Sequence, residues 1–124
     1  MTNEDIKTLS KDPDGLLTYE YIANHIATCD GDMDFLVDNM IGVDKTGQFV
    51  ASAARYLSAI DPVKYATPIS RFIAAAIEKD RERRYLGGLL QAIWGEDYLS
   101  RADELTVTDD NFRRIYKRLY PRGI

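Results

Sequence analysis

His25 and Cys29 stand four residues apart, one helical turn, and Asp30, Asp32 and Asp34 follow at alternate positions. The grouping invites a metal or a nucleophile. Asp30-Gly31-Asp32-Met33-Asp34 copies the opening of an EF-hand loop, but that loop needs glycine at its sixth position and glutamate at its twelfth, where this chain has Phe35 and Ile41. Zinc prefers a fuller set of soft ligands, and the chain holds one histidine and one cysteine. Asp30-Gly31-Asp32 therefore reads as a capping turn, and no metal or cofactor is expected. A Cys29–His25 dyad would also need a cleft and oxyanion donors, which no motif supplies, so an enzyme built on this pair ranks third among the functional readings. Cys29 is expected in the core.

The other candidates for chemistry are surface charges. Glu78, Glu82, Glu96 and Asp97 have the spacing of solvated carboxylates rather than of an acid–base pair. Gly87-Gly88 lacks the spacing of a phosphate-binding loop. Arg81, Arg83, Arg84, Arg113, Arg114, Lys117, Arg118 and Arg122, interleaved with Tyr85, Tyr116 and Tyr120, offer two readings. Basic residues with aromatics suit nucleic acid; arginine with tyrosine is equally the mixture of protein interface hot spots. A net charge of −4 and the absence of a helix-turn-helix or RNA-binding signature favour the protein interface.

These residues need helices to position them. Apolar residues recur at three- and four-residue spacing, and aspartates punctuate the pattern, predicting seven helices: Leu16 to Cys29, Met33 to Val43, Lys45 to Ile60, Pro62 to Lys79, Arg81 to Trp94, Tyr98 to Leu105 and Asn111 to Tyr120. Pro68 is expected to kink or split the fourth. Residues 1–15 contain the turn Asp12-Pro13-Asp14-Gly15 and little periodicity, so they are expected as a flexible lead, loose or short-helical, to a single α-helical domain over 16–124.

The second and third helices match the fourth and fifth at an offset of 36 residues. Leu36/Phe72, Val37/Ile73, Met40/Ala76, Ile41/Ile77 and Asp44/Asp80 coincide, then Phe49/Tyr85, Val50/Leu86, Ala53/Leu89, Ala54/Leu90 and Leu57/Ile93. The last helix follows at an offset of 30, with Arg84/Arg114 and Leu89/Leu119. A recurring helix pair of this length is the mark of a stacked α-solenoid. Asp80 to Ile93, an aspartate followed by basic residues and then alternating aliphatic and small positions, resembles the second helix of a HEAT repeat, over residues 33–120. Pro68 stands in a first helix, as is common in that family, while Phe49 replaces its customary basic residue. The resemblance implies an all-α, right-handed stack of six or seven short helices; an irregular helical bundle is the alternative. Gly87-Gly88, opposite Ala51 and Ser52, is expected where helices pass closely.

At 124 residues and 45% hydrophobic composition, the chain has the size and balance of one globular domain. No apolar run approaches the roughly 20 residues of a membrane span, and the acidic start lacks a secretory signal, so a cytoplasmic protein with no membrane partner is expected. Charge is polarised, −7 through residue 48 and +3 beyond it. Together these features predict a non-enzymatic protein-binding module, an adaptor or an inhibitor of the immunity-protein kind, with a nucleic-acid accessory role for the basic C-terminal third as the alternative. Equivalent positions on the second helices place Gln48, Arg55, Arg84, Gln91, Arg114 and Arg118 on one polar ridge, which favours a partner with an acidic patch.

Overall fold

The carboxylates of Asp12, Asp44 and Asp80 are nearly shut off from water, at 4%, 1% and 2% exposure, yet each is filled with hydrogen bonds. Asp44 shows the pattern. Its Oδ1 accepts from the amides of Thr46 and Gly47, each at 2.9 Å, and its Oδ2 from those of Phe49 at 2.9 Å and Val50 at 3.0 Å. Asp12 accepts likewise from the amides of Asp14, Gly15 and Thr18 and from the Thr18 hydroxyl. Asp80 accepts from Arg84, Tyr85 and Leu86. A helix begins with N–H groups that have no partner inside it, and a charged acceptor aimed at them satisfies several at once while complementing the helix dipole. The price is backbone geometry: the third residue after each aspartate is left-handed, Gly15 at φ 110°, Gly47 at 90° and Arg83 at 58°.

The computed structural model describes residues 1–122 of the chain, all helix, turn and loop, so the fold is all-α. Three aspartate turns join three helix pairs: α1 (Asn3–Ser10) to α2 (Leu16–Asn24), α3 (Met33–Val43) to α4 (Gln48–Ile60), and α5 (Ala66–Lys79) to α6 (Leu86–Trp94). A fourth pair, α7 (Ala102–Thr108) and α8 (Asp110–Leu119), is joined at Asp109, which caps α8 through the Phe112 amide at 3.1 Å and accepts the Trp94 indole N–H at 2.8 Å. Short 3-10 turns precede α3 and α7. Helices of successive pairs pack on one another: α1 on α3, α3 on α5, and α2, α4, α6 and α8 each on the next, while α5 also touches α8.

Most large apolar residues matched at the 36-residue offset share burial, whereas Ala51 is buried and its counterpart Gly87 is exposed. Leu36/Phe72, Met40/Ala76, Val50/Leu86, Ala53/Leu89 and Ala54/Leu90 are all fully buried. Leu57, Ile73 and Ile77 join them, and Ile93 packs half-buried against the same core. At about 25 cal/mol per Å² of apolar surface removed from water, this shared face is the main source of cohesion.

Several boundaries differ from the sequence expectation. Of the two forms expected for the lead, the short helix is present, and it is packed rather than flexible: Thr2 and Asp5 form a reciprocal capping box on α1, Leu9 is buried, and the Asn39 side-chain amide donates to the Leu9 carbonyl at 2.8 Å. The expected domain start at residue 16 therefore moves to the amino terminus, and residues 123–124 of its far end lie outside the described residues. α2 stops at Asn24, so His25 and Cys29 do not share its face. α5 begins at Ala66, after a separate turn over residues 62–65, so the expected fourth helix is split, one of its two expected outcomes, and Pro68 stands in the first turn of α5, where its missing N–H costs nothing. Burial pairs α8 with α6 at an offset of 26, Leu86/Phe112 and Leu89/Ile115, one turn short of the expected 30. Gly87 and Gly88 do not mark a close pass of helices: a Cβ on Gly87 would meet nothing within 4 Å, and one on Gly88 only the tip of Arg55.

Candidate interaction surface

The residues expected on a polar ridge divide between two places. Arg55 on α4 reaches across to α6, where its Nη1 lies 2.9 Å from the position a Gly88 Cβ would take. It is braced by the Ser52 hydroxyl at 3.3 Å. Gln91 stands one turn beyond Gly88 on the same exposed side, and Arg84 lies in the turn that leads into α6, paired with Glu82 at 2.7 Å. Gln48, also exposed, opens α4 next to Gly47, which packs on Asp80. These four therefore line the α4–α6 seam and its leading end.

Arg114 and Arg118 fall elsewhere. Arg118 donates to the Ile77 carbonyl at the end of α5, and on the same edge of α8 Asn111 donates to the Ser70 carbonyl at 3.3 Å. That edge faces α5, so the ridge does not continue onto α8 through these two side chains; the one-turn error in offset accounts for the difference.

The expected ridge omits its most basic neighbours. A cleft of about 470 Å³ opens between the Asp44 and Asp80 turns, lined by the cations Lys45, Lys79, Arg81 and Arg84, with Tyr85 beside them. A second of about 470 Å³ shares Arg81 and adds Arg83 and Arg118. Arg83 donates to the Arg118 carbonyl at 3.4 Å. The signal for Arg83 was present in the sequence: Asp12-Pro13-Asp14-Gly15 and Asp44-Lys45-Thr46-Gly47 place glycine where Asp80-Arg81-Glu82-Arg83 places arginine.

The remaining candidates are occupied with structure. His25 stacks on Tyr21 with ring centroids 4.0 Å apart, and its Nδ1 lies 2.9 Å from the Tyr21 carbonyl oxygen. Cys29 is buried; burial, with Asp30 adding to it, pushes its thiol above the ordinary range, opposite to what a nucleophile needs. Asp30 pairs with Lys64 at 2.9 Å and accepts from the Tyr65 hydroxyl, and Asp32 lies 3.4 Å from the terminal amine. Tyr116 stacks on Phe112 and packs against Tyr120, in a cluster with Trp94 and Tyr98, so its ring is turned to neighbours rather than presented for base stacking.

Comparison of the chain with family models, characterised proteins and solved structures returns no match in any of the three.

Proposed function

We propose that the chain is a non-enzymatic protein-binding module whose helix pairs stack in a HEAT-like manner, and that it engages an acidic patch on its partner. The binding surface is the α4–α6 seam, with Arg55, Gln91, Gln48 and Arg84, together with the basic turn at its leading end. One observation carries the reading. Arg83 holds a left-handed backbone conformation that the two equivalent turns assign to glycine, at a cost of order 1 kcal/mol, and the side chain kept there is a cation beside others. Strain of this kind is retained where the side chain has a use beyond folding. A cytoplasmic adaptor or inhibitor is the role this assigns; the lone cysteine and the absence, among the described residues, of any helix long and apolar enough to cross a membrane support it.

Affinity capture from native lysate with the wild type and with Arg55→Glu/Arg84→Glu tests the reading. A protein retained by the wild type and lost by the charge-reversed variant is the expected outcome. Equal retention by both, or recovery of nucleic acid in place of protein, contradicts it.

A further inference from the structure

The two clefts at the Asp80 turn share Glu78 and Arg81 in their linings, so they adjoin along one stretch of surface, a groove divided by those two side chains. Its floor is rigid. Asp80 is held by three backbone amides, Gly47 packs against it, and Arg118 ties the end of α8 to the end of α5. Rigid walls preorganise the charged side chains above them, which lowers the ordering cost of binding.

We propose that this groove takes an extended acidic peptide segment of the partner protein, with Arg83 as its anchoring residue. The inference rests on the protein-binding reading and names the chemistry that reading would recognise. Three features select a peptide carrying carboxylates over a run of phosphates. The first cleft sets its four cations against the carboxylates of Glu78, Asp80 and Glu82, a nearly balanced lining that a string of phosphates would meet with repulsion. A peptide can place single carboxylates against Arg81 and Arg83 and turn its own N–H groups toward Glu78. Tyr85, half-buried, adds an apolar wall with a polar tip, as in peptide-binding surfaces.

Arg83 is singled out because the one hydrogen bond of its guanidinium within the described residues, 3.4 Å to the Arg118 carbonyl, is weak recompense for its backbone conformation. Its guanidinium keeps further donors for a carboxylate, in the planar fork that pairs with one bidentately.

The test is fluorescence anisotropy with a labelled peptide in which glutamates alternate with serines and, as comparison, a labelled oligothymidylate of similar length, both at low ionic strength. The groove predicts saturable binding of the peptide, weaker by about fivefold or more in Arg83→Gly, whose melting temperature stays equal to or above that of the wild type because glycine suits the turn. If Arg83→Gly melts lower, Arg81→Gln, at an exposed residue, takes its place with the same expected loss. No saturable peptide binding, unchanged affinity in the variants, or tighter binding of the oligothymidylate overturns the groove. Peptide binding that survives Arg83→Gly and Arg81→Gln yet is lost in Arg55→Glu, a residue of the seam outside both clefts, overturns the groove while leaving the protein-binding reading standing.

Discussion

Gly47 packs directly against Asp80: a Cβ on Gly47 would lie 3.2 Å from the Asp80 Cβ and 3.3 Å from its backbone nitrogen. The turn of one helix pair thereby nests on the turn of the next, and a glycine is required there twice over, for its φ of 90° and for the space. Gly47→Ala should destabilise the fold by about 1 to 3 kcal/mol, combining strain with crowding. Gly42→Ala is the control, since Gly42 lies inside α3 with nothing within 4 Å of its missing Cβ, and it should stabilise by about 0.5 to 1 kcal/mol. Denaturant midpoints that shift in the same direction for both variants would show that the turns do not nest.

Acid should find the first aspartate turn. Burial alone would push the Asp12 carboxyl up, but the hydrogen bonds from Thr18, Gly15 and Asp14 together outweigh it and hold the group below its ordinary 3.8. A depressed folded pKa means stability that is complete above the unfolded value and is lost as pH falls through the folded one. Unfolding free energy should thus be flat near neutrality with respect to Asp12 and fall below about pH 4. Asp12→Asn, which cannot be charged, should be less stable at neutral pH and show a shallower acid decline in urea titrations at several pH values; an acid limb as steep as that of the wild type would assign the effect to other carboxylates.

Gly88 separates stability from binding. With only the Arg55 tip near it, Gly88→Ala should raise stability by about 0.5 to 1 kcal/mol, because alanine is the better helix former and a flexible guanidinium can move aside. The same substitution displaces Arg55 from the α4–α6 seam and should weaken partner binding. A lower melting temperature would mean that helices do pass closely at Gly88 after all.

Much of the fold was legible because burial obeys spacing. The pairs at the 36-residue offset, from Leu36/Phe72 to Ala54/Leu90, follow helical periodicity, which sequence displays directly. The first helix pair was hidden because α1 has one buried apolar residue, Leu9, and is held instead by polar links: the capping box, Asn39 and Asp12. Polar anchoring leaves no periodic signature. The recurrence of Asp-x-x-Gly at Asp12 and Asp44 was nonetheless visible, and aligning it would have extended the unit to the amino terminus and exposed Arg83 as the exception. The ridge was half legible for a related reason. Gln48, Arg55, Arg84 and Gln91 depend on the sound offset, whereas Arg114 and Arg118 depend on one a turn too long, and a turn's error rotates a side chain about 40° around the helix.

Association kinetics of a captured protein partner, measured by surface plasmon resonance against wild type and Arg55→Glu/Arg84→Glu across a range of salt, bear most directly on the claim that this surface binds an acidic partner. Exposed charges steer encounter and are screened beyond about 10 Å at 0.1 M salt. The reversed variant should associate more slowly at low salt, with the difference narrowing as salt rises. Association rates that match the wild type at low salt would contradict the claim.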